Sequence, residues 1–340
     1  MKILYKEKVY TGGIGGCHTY RIPSAVKTSD GTLLAFCEGR KEGMGDSGNI
    51  SVLVKRSDDN GRTWTDHSTV VGDDKNSFGN CNPVFDRYTG RLHILINFNE
   101  GNSSEEEIRA GKSIRNCHHL FSDDNGATWS APRNINEYVK MPEWSWHAVG
   151  PCHAIQTKSG RFVFGGNHAN LSHVTTHEDY DGYSFSMYSD DGCKTFKVSP
   201  DISPETNECS VAQLADGRLY INMRSQQHNN RFVAYSNDEG ATWTDFHADI
   251  TLLDPHCHGS VLSVSDKLYF CNNESLSRKN LTLKKSNDGG ATWDEKLVIH
   301  EGHSAYSDLV QIDDNTIGCL YEFGDTESPY EFIGFALIQL

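Results

Sequence analysis

Three arginines stand in apolar surroundings in this sequence. Arg21 lies in Tyr20-Arg21-Ile22-Pro23-Ser24, Arg224 closes the run 217–224, and Arg278 precedes the alternating run 281–285. An arginine carried on an apolar strand is costly to bury unless it meets an anion or a carboxylate. Its planar fork pairs bidentately with a carboxylate and never deprotonates. A lone arginine is usually a surface ion-pair partner, but three in such settings point to an anionic ligand. Arginines held close together repel, so a supporting carboxylate is expected beside them. Two further residues could react. Tyr306, in Ala305-Tyr306-Ser307-Asp308-Leu309, offers a phenol whose unperturbed pKa near 10 calls for a nearby base. Asp46, in Gly45-Asp46-Ser47-Gly48, sits in a glycine-flanked loop that could close over a ligand, or could equally be an ordinary turn.

The elements that must position these residues are announced by a repeat. Ser57-Asp58-Asp59-Asn60-Gly61-Arg62-Thr63-Trp64 recurs in variant form from Ser122, Ser189, Ser236 and Ser286, at spacings of 65, 67, 47 and 50 residues. Each copy ends a stretch of alternating apolar and polar residues, such as Ile50-Ser51-Val52-Leu53-Val54-Lys55-Arg56. The repeat reads as a β-turn with a built-in clip. Glycine supplies a positive φ, the aspartate carboxylate accepts backbone N–H groups, and Thr and Trp pack between neighbouring sheets. A supersecondary unit copied at such intervals indicates one four-stranded propeller blade per copy, with insertions in the early blades.

Bulk properties agree with one all-β domain spanning 1–340. Short strands, 31 glycines and the absence of long helical periodicity argue against helices. The formal net charge of -15 argues against nucleic acid and anionic membrane surfaces as partners, and requires cations for an anionic ligand to be gathered locally. No segment has the length and apolarity of a signal-peptide core or a membrane span, so cytoplasmic residence is expected, with a secreted mature form as the alternative. Ten scattered cysteines without a Cys-x-x-Cys pair read as reduced, partly buried thiols. The histidine groups His118-His119, His173 with His177, and His256-Cys257-His258 lack the spacing and carboxylate partner of a catalytic zinc site, so neither metal nor cofactor is expected.

The repeat resembles the Asp-box of sialidases and related propellers, and the residues between the boxes resemble the sialidases in particular. Tyr20-Arg21-Ile22-Pro23 is similar to the entry to the first sialidase blade, and Arg21, Arg224 and Arg278 match, in order and in distance from the boxes, the three arginines that clamp the substrate carboxylate. Glu322, in Cys319-Leu320-Tyr321-Glu322-Phe323, resembles the glutamate that orients the first of them. Arg40, in Glu38-Gly39-Arg40, resembles the arginine reaching the sugar hydroxyls. The resemblance makes Tyr306 the nucleophile, Glu208, in Thr206-Asn207-Glu208-Cys209, its base, and Asp46 the general acid. Asp30 and Asp74 fit that order less well. A neutral phenol suits an anomeric carbon that bears a carboxylate, because an anionic nucleophile would be repelled. The segment 144–151 could line the pocket or pack a blade edge, and Asn82-Pro83 and Asp86 resemble a segment near the substrate's acyl side.

The expectation is therefore a six-bladed β-propeller of the sialidase fold, closed by pairing residues 3–9 with 332–340. Its expected activity is that of a monomeric, cofactor-free, retaining exo-α-sialidase acting on sialylated glycans. A trans-sialidase, an enzyme forming anhydro-sialic acid and one specific for the deaminated sugar are rivals within the same chemistry. A non-catalytic Asp-box lectin is the rival from another class, and it has no need of the Tyr306, Glu208 and Asp46 set.

Overall fold

The computed structural model describes residues 1–171 and 181–340; His173 and His177 lie outside the described residues. The chain runs as successive antiparallel meanders. Thr19–Lys27, Leu33–Arg40, Ile50–Ser57 and Ser68–Val71 pair in order. The next meander is Ser77–Phe85, Leu92–Asn99, Arg115–Ser122 and Arg133–Asn134, joined to the first by the single contact Ile50 to Ser77. A separate sheet holds Trp144–Val149, Phe162–Asn170, Tyr183–Ser189 and Lys197–Val198, and another holds Thr206–Gln213, Leu219–Ser225, Asn230–Ser236 and Thr244–Leu253. The last sheet starts with Ser260–Val264, Lys267–Asn273 and Lys279–Ser286. The long strand Glu295–Asp313 then pairs backward through its first half and forward, through its second, with Thr316–Phe323. Two short helices, Glu105–Arg109 and Asn136–Val139, are the helical elements among the described residues. No described helix is long and apolar enough to cross a membrane.

Closure is by the ends of the chain. Lys2–Thr11 lies antiparallel to Phe332–Gln339, from Lys2 opposite Gln339 to Thr11 opposite Phe332, which contains the expected pairing of the two ends. Burial falls outward through the meanders: Thr19–Lys27 and Leu33–Arg40 are almost wholly buried, whereas Thr244–Leu253 is mostly exposed. Apolar clusters fill the spaces between adjoining sheets, one of them joining Tyr10, Leu33, Leu53 and Phe335. Each buried leucine or phenylalanine there contributes about 1.5–3 kcal/mol of transfer free energy.

The repeated turns work as the sequence predicts. In the first box Ser57 Oγ donates to Asp59 Oδ1 at 2.8 Å and accepts from the Gly61 amide at 2.9 Å, while Asp59 accepts from the Thr63 amide at 2.9 Å and the Thr63 hydroxyl at 2.7 Å. The same contacts recur around Asp124, Asp191, Asp238 and Asp288. Hydrogen bonds from Thr63 hold the Asp59 carboxyl down, at about 2. Gly61 has φ +83°, and a Cβ there would stand 2.1 Å from the Phe335 ring of the neighbouring sheet, so glycine is required both by conformation and by space. The five aspartates of the clips lie away from the principal cavity, which leaves them a structural role.

Candidate active site

The first strands of the first four meanders and the long strand Glu295–Asp313 converge on a cavity of about 630 Å³. Arg21, Asn80, Trp146, Glu208 and Tyr306 reach it from Thr19–Lys27, Ser77–Phe85, Trp144–Val149, Thr206–Gln213 and Glu295–Asp313. Each of these strands is bulged where it meets the cavity, between Arg21 and Ser24, Gly79 and Asn82, Trp144 and Trp146, Thr206 and Cys209, and Ser304 and Ser307. A bulge inserts one residue and re-aims the side chains beside it. The first bulge sets Ile22 at φ +56°, a conformation that a β-branched residue adopts only under restraint.

Of the eight residues picked out in the sequence, seven line the cavity, and the eighth, Glu322, lies wholly buried behind Arg21. The Glu322 carboxylate accepts from Arg21 Nε at 2.9 Å and Nη2 at 3.2 Å, and also from the amides of Ile22 at 2.8 Å and Tyr306 at 3.1 Å. One carboxylate thus neutralises an arginine, holds the strained Ile22 peptide and anchors the backbone of the tyrosine. Glu38 serves Arg40 in the same manner, accepting from its Nε and Nη2 and from the Asn80 amide, itself at φ +52°.

Tyr306 is surrounded by cations. Its hydroxyl lies 2.6 Å and 2.8 Å from the two oxygens of Glu208 and 3.0 Å from Arg224 Nη1, which also pairs with Glu208 at 2.7 Å. The guanidinium carbons of Arg21 and Arg278 stand 5.2 Å and 5.6 Å from the centre of its ring. Burial first, then the Glu208 charge, pushes the Tyr306 phenol well above its usual value. Burial also works to raise Glu208, but Arg224, helped by the Tyr306 hydrogen bond, outweighs it and holds the carboxyl below the usual range. The resting pair is therefore a neutral phenol donating to a carboxylate. His258, buried beneath with its ring 5.7 Å from that of Tyr306, is pushed down by burial to about 4 and is neutral near pH 7.

Asp46 stands at the mouth, its side chain 79% accessible, with Arg40 Nη1 at 2.7 Å and Arg21 Nη1 at 3.9 Å. Partial desolvation beside the cavity wall works to raise its pKa, but Arg40, Arg21 and Arg115 hold it below the usual range. Water at the mouth screens these charges in part. Arg40 itself is saturated by Glu38, Asp46 and the Met44 carbonyl, so it fixes the 41–49 loop as well as facing the cavity.

Other lining residues carry no comparable signal in the sequence. Arg115 donates Nε to the His147 carbonyl at 3.1 Å and Nη1 to Asn99 at 2.7 Å, and Trp146 lies over it with 4.3 Å between guanidinium carbon and ring centre. Tyr330 accepts from Arg278 at 2.7 Å and stacks under Arg21 at 4.0 Å. The helix Glu105–Arg109 forms part of the wall; its N-terminal box through Ser104 and Glu107 could be read from Ser104-x-x-Glu107, but its place over the cavity could not. Segment 144–151 does both things weighed for it, since Trp146 and Ala148 line the cavity while Trp144 packs in the core. Asn82, Pro83 and Asp86 are a correction. They do not line the cavity, because the bulge after Gly79 presents Asn80 instead, and Asp86 caps the following turn through the Tyr88 amide at 3.0 Å and the Thr89 hydroxyl. All ten cysteines are buried and unpaired.

The arrangement joins six arginines, a phenol bridged to a carboxylate and an accessible aspartate in one cavity, a set able to hold an anion and to move protons beside it. Comparison with known proteins points the same way. The chain matches the family described as BNR repeat-like domain over residues 31–319. It is 32% identical to a sialidase of Bacteroides fragilis over 89% of this chain and 60% of the relative, and 30% identical to an exo-alpha-sialidase of Aspergillus fumigatus over 75% and 63%. The chain thus spans about three fifths of the length of these curated relatives. Among solved structures it is similar to the Hadza microbial sialidase Hz136, with TM-score 0.89 and 29% identity over 98% of this chain and 68% of that one.

Proposed function

The chain belongs to the sialidase family through its BNR repeat-like domain, and we propose that it is a retaining exo-α-sialidase releasing terminal sialic acids from sialylated glycans. The observation that carries this reading is the Tyr306 hydroxyl bridged to both oxygens of Glu208 inside a ring formed by Arg21, Arg224 and Arg278. We read the fold as a six-bladed propeller. Its first five meanders begin at Thr19, Ser77, Trp144, Thr206 and Ser260, and the sixth combines the second half of Glu295–Asp313 with Thr316–Phe323, Phe332–Gln339 and the N-terminal strand. The five boxes fall in the first five, which accounts for a sixth without one.

In the proposed reaction Arg21, Arg224 and Arg278 hold the substrate carboxylate. The phenol attacks the anomeric carbon from beneath and gives its proton to Glu208, while Asp46 protonates the departing glycosidic oxygen. A neutral nucleophile avoids repulsion by the clamped carboxylate, and the guanidinium charges stabilise the phenolate character that develops during attack. Arrival of the substrate anion neutralises part of the field that keeps Asp46 ionised, so its pKa rises as the acid is needed. Water then hydrolyses the glycosyl-tyrosine, with Asp46 as base and Glu208 returning the proton.

The test is turnover of an aryl α-sialoside, with the anomer first released followed by NMR, for the intact chain and for Tyr306→Phe. Retention, with turnover in the variant reduced by about a hundredfold or more, is expected. Inversion, or undiminished turnover without the phenol, removes the tyrosyl route. Binding of sialic acid without turnover of any linkage favours the lectin, and an anhydro-sugar product favours intramolecular transfer.

A further inference from the structure

One junction between sheets lacks the box glycine that the other four carry. In the second, fourth and fifth boxes the turn glycine faces the second residue of a strand in the preceding meander: Gly126 meets Leu34, Gly240 meets Val163 and Gly290 meets Tyr220. The third box carries Cys193 in place of that glycine, at φ +60°, and the corresponding strand position is His93. A residue with a Cβ is sterically disfavoured there, yet Cys193 keeps the box intact, donating its amide to Ser189 Oγ at 3.0 Å. A third change accompanies these two. His119 stands three residues before its box serine, where the other repeats have Val54, Ser186, Val233 and Leu283.

These changes meet in space. The ligand atoms of His93, His119 and Cys193 lie within 4.8 Å of one another, all three residues are buried, and His93 Nδ1 is 2.9 Å from His119 Nε2. Donors around a tetrahedral or trigonal metal of this ligand type stand about 3.3–3.8 Å apart, so side-chain adjustments of under about an ångström would bring them to that spacing. We propose that His93, His119 and Cys193 form a buried site for one monovalent copper ion, Cu⁺, which ties the third box to the preceding sheet.

Charge and softness select the metal. A thiolate with two imidazoles suits a soft ion of low coordination number. The surroundings are apolar: the Phe162 ring centre lies 5.1 Å from that of His93, and Phe196 lies 6.0 Å from His119. Cu⁺ with one thiolate is neutral overall, whereas Zn²⁺ would leave a net positive charge in this dry place, beside Arg133, whose Nη2 already donates to the Cys193 carbonyl at 2.7 Å. Binding releases the thiol proton. His93 Nδ1 and His119 Nε2 turn from each other to the metal, and each ring keeps its proton on the opposite nitrogen. Entry needs only local opening of the turn, since Lys194 and Thr195 beside Cys193 are exposed.

The test is an anaerobic Cu⁺ titration of the full chain against a bicinchoninate competitor, with bound copper counted by elemental analysis and the ultraviolet thiolate-to-metal band recorded. The variants are Cys193→Gly and His119→Val, which restore residues found at these positions in other repeats and so preserve the fold. About one equivalent and a charge-transfer band are expected for the parent chain, with affinity about a hundredfold or more weaker in each variant and sialoside turnover unchanged. Equal copper affinity in parent and variants overturns the site, and preferential retention of Zn²⁺ over Cu⁺ overturns the choice of metal.

Discussion

The Tyr306 hydroxyl lies within 2.8 Å of both carboxylate oxygens of Glu208, across 98 residues of sequence. Arg224, at 3.0 Å and 2.7 Å from the two partners, keeps the carboxylate ionised despite its burial, while burial and the charge of that carboxylate keep the phenol protonated. Glu208 acts as a base only when deprotonated, and its depressed pKa extends that form to lower pH. The acid limb of kcat/KM is therefore expected below the usual glutamate value of about 4.3. Glu208→Gln keeps the shape but cannot take the proton, so kcat should fall by about 10²–10⁴ and the acid limb should vanish. A variant that retains the limb would assign it to another group.

Asp46 makes a complementary prediction. In the free protein Arg40 and Arg21 favour its charged form, while a general acid must be protonated. With the substrate carboxylate in place the balance reverses, so the alkaline limb of kcat should lie at higher pH than that of kcat/KM. Asp46→Asn should cost about 10²–10⁴ in kcat for an alkyl sialoside, whose leaving group needs a proton, and far less for a nitrophenyl sialoside, whose leaving group does not. Equal losses on the two substrates would count against Asp46 as the acid.

What could be read in the sequence follows from where each residue is carried. Arg21, Glu208, Arg224, Tyr306 and Glu322 lie on or beside strands whose alternation is visible, at fixed distances from the boxes, and they converge. Arg115 and Tyr330 look like ordinary surface residues in one dimension; their positions depend on loop paths and on packing of the 144–149 strand against its neighbours. The resemblance points to Asn82, but the bulge after Gly79 presents Asn80 to the cavity instead, and no local pattern announces a bulge. The His93, His119 and Cys193 group escaped for a further reason. Its members lie on two strands of the second meander and in the box turn of the third, so it shows none of the short spacings by which metal ligands are usually recognised.

Glu322 links substrate binding to the architecture. It holds Arg21, Ile22 and Tyr306 at once from a fully buried position. Removing one partner of a buried ion pair leaves the other uncompensated, at a cost of about 3–5 kcal/mol. Glu322→Gln is expected to lower the thermal midpoint and to raise KM for sialosides, whereas Arg21→Met, which removes the cation and leaves Glu322 unpaired, should match the stability loss and raise KM further. Calorimetry with steady-state kinetics checks both, and an unchanged KM in Glu322→Gln would show that Arg21 is positioned without it.

The pH dependence of stability should carry the signature of His153. Its Nδ1 lies 2.7 Å from Asp308, a wholly buried carboxylate that also accepts the amides of Ala25 and His153 and the Ser260 hydroxyl. Burial alone lowers the imidazole pKa, but Asp308 outweighs it and the net shift is upward. A folded-state pKa above the unfolded value of about 6.5 means that the ion pair contributes fully below that pH, and that its contribution is lost as pH rises through the folded value. Thermal midpoints of the parent chain and of His153→Gln, measured at intervals from mildly acidic to alkaline pH, should therefore differ most at the acid end and converge as pH rises. A gap that widens with pH would mean that neutral His153 is the form the fold prefers, and that Asp308 draws its stabilisation from the amides and Ser260 instead.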